Sequence, residues 1–184
     1  MRLRVARPED GAAIANLYAP YVGGSAVSLE DRPPDADEMA ARIAACGALH
    51  PWLVAEDGEA LLGYASASRF RPRLGYRFTV ETSVYVAGAR QGSGIGRALY
   101  DALLETLVAQ GFTQAIAAIT LPNAASVALH EAVGFARCGV YGHVGWKLGR
   151  WWDVGLWQRP LARAEVPPED VRPFAEVISL DEGK

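Results

Sequence analysis

The stretch Val84-Tyr85-Val86-Ala87-Gly88-Ala89-Arg90-Gln91-Gly92-Ser93-Gly94-Ile95-Gly96-Arg97 constrains the fold more than any other part of the chain. A β-branched and aromatic run passes through a glycine-rich turn into residues 95–110, where Leu99, Leu103, Leu104 and Leu107 recur at helical spacing. A strand that feeds a helix through such a turn can cradle an anion. Glycine lets backbone N–H groups come close to a ligand, and the helix start adds positive potential. The same glycines also suit a tight turn that serves backbone geometry alone. Spacing removes two kinds of anion site. A dinucleotide fingerprint begun at Gly92 and Gly94 needs glycine at position 97, where Arg97 stands. A nucleoside-triphosphate loop ends in Gly-Lys-Ser/Thr, and here the chain reads Gly96-Arg97-Ala98.

The rest of the chain supplies a mixed set of elements. Residues 3–6 read as an opening strand. Pro8, Glu9 and Asp10 suit the first turn of a helix carrying Ile14, Leu17, Tyr18 and Tyr21 on one stripe, ended by Gly23-Gly24. Asp35 caps a second helix running to Ala45, and Gly47 stops it. Strands follow at 52–55 and 61–65 around the turn Glu56-Asp57-Gly58-Glu59, then at 77–86 and 115–120. A helix at 123–133 and two closing strands, at 140–145 and 151–158, complete the set. The order β-α-α-β-β-β-α-β-α-β-β predicts one mixed-sheet α/β (α+β) domain over residues 1–160, not a doubly wound repeat. Pro160, Pro167, Pro168 and Pro173 then mark residues 161–184 as a C-terminal tail lying on the surface or on a partner subunit.

Composition narrows the function classes. With 51% hydrophobic and 21% charged residues in 184, the chain is expected to fold around a sizeable core. A net charge of −3 gives no general attraction to phosphate polymers or anionic membranes, so neither a nucleic-acid nor a membrane partner is expected. Cys46 and Cys138 belong to no CxxC pair. Two free thiols fit a reducing cytoplasm. The opening MRLRVARPED lacks a signal peptide's apolar run, and the charge-free residues 106–130 are too polar and broken to span a bilayer. His50, His130 and His143 form no ligand cluster, so no metal is expected.

Glu81 is the one acid between Glu59 and Asp101, set among Phe78, Val80, Val84 and Tyr85 on a strand that should be central. A carboxylate there is desolvated and its pKa raised, as a base working near neutrality needs. A sheet-edge glutamate facing solvent or paired with Arg77 satisfies the same sequence. Arg69, Arg71, Arg73 and Arg77 lie in a run without an acid from 60 to 80, either as a solvated loop or as forks for a carboxylate. On the predicted strand, Arg77 and Thr79 share parity with Glu81 and face one cavity. Trp146, Trp151, Trp152 and Trp157 on the closing strands suit core packing or a dimer interface.

The pattern Gln/Arg-x-x-Gly-x-Gly/Ala, met by Gln91, Gly94 and Gly96, resembles the loop by which the GNAT superfamily of acyl-CoA-dependent N-acyltransferases holds the CoA pyrophosphate. FTVETSVYV, LPNAASVALHEAVGF and GRWWDVGLWQRPL resemble the phosphinothricin and methionine-sulfoximine acetyltransferase branch. The resemblance covers roughly residues 1–160. It implies a single GNAT-type domain whose mostly antiparallel central sheet splays after the Glu81 strand, with helices on both sides. It implies acetyl-CoA as co-substrate, held by Val84, Tyr85 and Val86 and by Gln91, Gly92, Ser93, Gly94, Ile95, Gly96 and Arg97, with Asn123 as a further contact. Asn123 by itself reads as a helix N-cap. Glu81 is implied as the base. His130, at a point where much of the superfamily has a tyrosine, is implied as proton donor to the leaving thiolate, with Tyr141 a further candidate. Arg77 becomes the clamp for a substrate carboxylate, with Thr79 and Arg73 beside it.

The reaction so implied is acetyl transfer to the α-amino group of a small glutamate-like amino acid, by direct attack in a ternary complex, in a homodimer. A protein-lysine, protein N-terminal or other small-amine acetyltransferase would share the loop and Glu81. A non-catalytic acyl-CoA-binding module would keep the loop alone.

Overall fold

Asp35 sets the clearest boundary: its carboxylate accepts from the Glu38 amide, Glu38 reaches back to the Asp35 amide, and this capping box starts a helix. In the computed structural model, which describes residues 1–178 and 180, helices α1 (Gly11–Gly23), α2 (Ala36–Ala45), α3 (Ile95–Gln110) and α4 (Ala124–Ala132) flank one seven-stranded sheet. The strands are β1 (Arg2–Val5), β2 (Trp52–Asp57), β3 (Ala60–Arg69), β4 (Thr79–Val86), β5 (Gln114–Leu121), β6 (Ala136–Lys147) and β7 (Arg150–Pro160), in the spatial order β1-β2-β3-β4-β5-β7-β6.

Every neighbouring pair is antiparallel except β4 and β5, which are parallel and meet only at Thr79–Gln114, Val80–Ala115 and Glu81–Ile116. Beyond Glu81 they part. The sheet is thus two antiparallel blocks joined by a short parallel seam, and the gap opens at the residue singled out as a base.

Alternation along the strands divides the core between the two faces. On one face α3 buries Leu99, Tyr100, Leu103, Leu104 and Leu107 against Leu53, Ala55, Val80, Ala115 and Ala117. On the other, Ile14 and Tyr18 of α1 and Met39 and Ile43 of α2 pack on Val54 and Tyr64. Strand β2 is apolar on consecutive residues because it is covered on both sides. No helix among the described residues is long and apolar enough to cross a membrane.

Several element bounds differ from the sequence expectation. β4 begins at Thr79, because Leu74–Tyr76 form a 3-10 turn closed by the Tyr76 amide on Arg73 and the Arg77 amide on Leu74, both at 3.0 Å. Arg77 is helical there (φ −61°, ψ −17°), so it stands outside the strand and its parity with Glu81 is lost. The closing strands are longer than expected, since register shifts at Arg137/Gly139 and Tyr141/Gly145 absorb glycines that read as breaks. The described part of the tail, residues 161–178 and 180, folds back on its own chain. The Arg172 amide donates to the Gln110 carbonyl and the Phe174 amide to that of Ala48, both at 2.9 Å, while Leu161, Val171, Ile178 and Leu180 pack on the main core.

Candidate active site

The parting of β4 from β5 frees main-chain groups on a known side. The Ala87 amide donates to Leu62 at 2.8 Å, so the antiparallel alternation turns the amides and carbonyls of Tyr85, Ser83 and Glu81 toward β3. Those of Val84 and Val86 face the gap. A cavity of about 390 Å³ runs along that gap, lined among others by Val84, Val86, Gln91, Gly94, Arg97 and Asn123. Tyr85 borders it as well, but its backbone is turned to β3. Its ring packs edge-on against Tyr18 and Tyr21, at centroid distances of 4.8 and 5.0 Å.

The glycine turn closes one end of this cleft. Gly92 and Gly94 hold φ of +74° and +84°, conformations that an L side chain adopts only with strain, and Gly94 starts α3 from the left-handed region. A Cβ on Gly96 would lie 3.1 Å from Leu129 Cδ2 and 3.4 Å from Val86 Cγ2, so glycine lets α3 approach the strand and α4 closely. The Ala98 amide donates to the Gly94 carbonyl at 3.0 Å and closes the first turn of α3. The amides of Ile95, Gly96 and Arg97 therefore lack helical acceptors and form a positive helix end beside Arg90 and Arg97. Ser93 lies in the same turn, its hydroxyl donating to the Arg90 carbonyl at 2.5 Å. Across the cleft, Asn123 caps α4 by accepting from the Ser126 amide at 3.1 Å.

Glu81 stands half-buried at the last parallel pair, on the face opposite α3. Burial pushes its carboxyl pKa up, and the positive charge of Arg71 pulls it only partly back. No hydrogen bond to its carboxylate is present among the described residues. An acid so placed retains basicity that a paired carboxylate would lose.

His130 is buried under the gap with both ring nitrogens engaged. Nδ1 lies 2.7 Å from the Ser126 carbonyl and must carry the proton there, while Nε2 accepts from the Tyr100 hydroxyl at 2.7 Å. Burial lowers its pKa, which favours the neutral ring. It borders a smaller cavity of about 40 Å³ with Thr82, Ser83, Asn123 and Ser126, but aims no N–H into the larger cleft. Tyr141 lies exposed on β6.

The arginine run forms the exposed approach to β4. Arg77 lays its guanidinium over the Phe78 ring at 4.3 Å, Arg71 lies over Phe70 at 4.7 Å, and Arg73 precedes the 3-10 turn. Thr79 opens β4 on the same face as Glu81. Arg71 replaces Arg77 as the arginine whose charge reaches Glu81. Among the described residues no group of three His, Cys, Asp or Glu is placed to hold a metal.

The geometry adds residues that the sequence did not single out. Tyr21, read as part of an apolar stripe, points its hydroxyl at the Val86 carbonyl and lines the cleft. Val27 borders both cavities. Neither carries a local signal, because both come from the α1–α2 side of the sheet. Arg90 had one: it directly precedes Gln91.

Comparison with known proteins agrees with this arrangement. Residues 13–135 match the Acetyltransferase (GNAT) family. A phosphinothricin N-acetyltransferase of Alcaligenes faecalis is 46% identical over 161 residues, covering 86% of this chain and 82% of that protein. The L-methionine sulfoximine/L-methionine sulfone acetyltransferase of Salmonella typhimurium is 38% identical over 168 residues, covering 91% and 98%. Among solved structures, a GNAT superfamily phosphinothricin acetyltransferase from Sinorhizobium meliloti in complex with AcCoA has a TM-score of 0.85 at 38% identity, with 92% of each chain covered.

Proposed function

The chain belongs to the GNAT acetyltransferase family and is an acetyl-CoA-dependent N-acyltransferase, and from that premise we propose that it acetylates the α-amino group of a small glutamate-like amino acid by direct attack in a ternary complex. Phosphinothricin, methionine sulfoximine and methionine sulfone are the substrate types that the relatives' names supply. The observation that carries the reading is the position of Glu81: a half-buried carboxylate at the last pair before β4 and β5 separate, three residues ahead of Val84 on the strand that lines the cleft with free main-chain groups.

The cleft fits acetyl-CoA, which supplies an activated acyl thioester when bound. The free amides of Ile95, Gly96 and Arg97, with Arg90 and Arg97, suit a pyrophosphate. Val84 and Val86 offer amides and carbonyls to the polar groups of the pantetheine arm, as an added strand would. A Val84 or Val86 N–H is placed to stabilise negative charge developing on the acyl oxygen. Glu81 takes the proton lost by the amine, directly or through one water, as the new C–N bond forms and the C–S bond breaks. His130, neutral and held by Ser126 and Tyr100, supports the wall of the gap, and the departing thiolate takes its proton from solvent. Cys46 and Cys138 line neither cavity, which supports direct attack over a cysteine-bound intermediate. The two free thiols accord with a reducing cytoplasm.

Carboxylate recognition falls to the arginine run. Arg71 sits electrostatically closest to Glu81, and Arg73 and Arg77 flank the approach with Thr79 at its inner end. This cationic mouth favours a free amino acid over a lysine-bearing peptide. The β6–β7 edge, exposing Trp146, Leu148 and Trp151, is the surface for a second copy of the chain.

The test is thiol release from acetyl-CoA with a panel of phosphinothricin, methionine sulfoximine, methionine sulfone, glutamate and one lysine-containing peptide. Turnover is expected on the sulfone, sulfoximine or phosphinothricin and not on the peptide. Turnover on the peptide alone, or CoA binding with no turnover on any amine, overturns the assignment.

A further inference from the structure

The Tyr21 hydroxyl makes two bonds that join separate parts of the donor cleft. It donates to the Val86 carbonyl, at the end of the splayed strand, and accepts from the Gln91 side-chain amide at 2.8 Å. Val86 is one of the two residues of the gap whose main chain faces the cleft, and Gln91 opens the glycine turn. Between them the chain passes through a 3-10 turn at Gly88–Arg90, with the Gln91 backbone held only by a 3.4 Å bond to Gly88. Gln91 is exposed, so its side chain would otherwise be free to leave the turn. The Tyr21 ring is fixed by its edge-on contact with Tyr85, which belongs to the aromatic cluster under α1.

We propose that Tyr21 is a donor-positioning residue: its hydroxyl holds the Val86 carbonyl and the Gln91 amide at a fixed spacing, so that the arm-binding strand and the pyrophosphate-binding turn are preorganised for acyl-CoA. A carbonyl oxygen accepts two hydrogen bonds, so the phenol leaves Val86 one site for an amide of the arm. The inference rests on the acyl-CoA reading of the same cleft. It differs from a latch, in which the phenol blocks the carbonyl and the donor must displace it. Preorganisation and blockade have opposite signs when the hydroxyl is removed.

Tyr21→Phe removes the hydroxyl and keeps the ring packing. CoA binding to the full chain, measured by calorimetry, is expected to weaken about 5- to 10-fold, the effect of roughly one net hydrogen bond. kcat at saturating acetyl-CoA and KM for the amine are expected to stay within about twofold, and the melting temperature of the unliganded protein to change little. The loss is also expected to shrink in a Gln91→Ala background, because the two residues act as a unit. CoA binding to Tyr21→Phe that equals or exceeds that of the unaltered protein overturns the proposal, as does full additivity with Gln91→Ala. The Gln91 comparison also decides the case should Tyr21→Phe fold poorly: Gln91→Ala that binds CoA as well as the unaltered chain removes the coupled pair. If the unaltered chain itself does not bind CoA, the acyl-CoA reading fails, which is a distinct result.

Discussion

The Tyr100 hydroxyl donates to His130 Nε2 at 2.7 Å beneath the splayed sheet, and this bond joins α3 to α4 across the buried wall of the gap. With the Nδ1 proton turned to the Ser126 carbonyl, the neutral ring has both nitrogens satisfied. Burial holds its pKa below the ordinary 6.5. As pH falls through 6.5 the unfolded chain takes up a proton that the folded ring resists, so stability declines on that side. Above 6.5 both forms are neutral and the contribution is flat. Chemical denaturation at a series of pH values should show this slope, and His130→Gln should reduce it. His50, also lowered by burial, accounts for a remaining slope of the same sign. An unchanged slope in His130→Gln would refute the neutral, resisting ring.

Glu81 carries the opposite stability sign. Its carboxyl is raised above 4.5 by burial, so the folded state favours the protonated form and the penalty appears as pH rises through the folded pKa. Glu81→Gln is therefore expected to leave the melting temperature at neutral pH equal or slightly higher. The same change should lower kcat by about 10²- to 10³-fold, the range for loss of a positioned base. In the unaltered protein the acid limb of kcat/KM should lie above the usual carboxylate range, and it should vanish from the residual activity of the variant. Full activity in Glu81→Gln would remove Glu81 from the chemistry.

Much of the architecture was legible because its signals are local. The helix over Ile95–Gln110 follows from leucine spacing behind a glycine-rich turn, and that over Ala36–Ala45 follows from the cap Asp35 and the stop at Gly47. Gln91, Gly94 and Gly96 stand out as a motif for the same reason. The parity expected of Arg77 with Glu81 fails because a 3-10 turn at Leu74–Tyr76 intervenes, and nothing in YRFTVE marks the single residue at which extension begins. Tyr21 carries no such local signal, because a tyrosine on an apolar stripe reads as core until the opposing strand is placed. His130 shows the same limit from the other side. Its surroundings depend on Tyr100, thirty residues away on another helix.

Gly94 tests whether the turn geometry is needed for donor binding. Its φ of +84° admits glycine freely, while a Cβ there would meet no atom within 4 Å. The cost of Gly94→Ala is then conformational rather than steric, about 1–2 kcal/mol for an L residue in the left-handed region. If the chain relaxes to escape that strain, the amides of Ile95 and Gly96 turn away from the cleft. Thermal melts should report the stability loss, and CoA titration should report weakening of about 5- to 30-fold, the equivalent of that energy. Loss of stability with undiminished CoA affinity would separate the turn from the donor.

Lys147 provides the last prediction. Its ammonium, at the β6 end of the hairpin, donates to the carbonyls of Val22, Ser28 and Glu30 at 2.6, 2.7 and 2.8 Å. Those carbonyls belong to the α1 terminus and the segment after it, which carries Val27 to the rim of both cavities. Trp152 Nε1 bonds the Lys147 carbonyl at 2.8 Å, and Leu29 packs tightly on Gly145, so the hairpin and the segment hold each other. Lys147→Met keeps the aliphatic stem but leaves the three acceptors without the cation, which should cost about 2–3 kcal/mol by denaturant unfolding. Release of Val27 should raise KM for the amine more than KM for acetyl-CoA, since the main donor contacts come from Val84, Val86 and the glycine turn. Equal increases in both constants would mean that the segment serves the whole cleft, and an unchanged amine KM would mean that Lys147 only stabilises the fold.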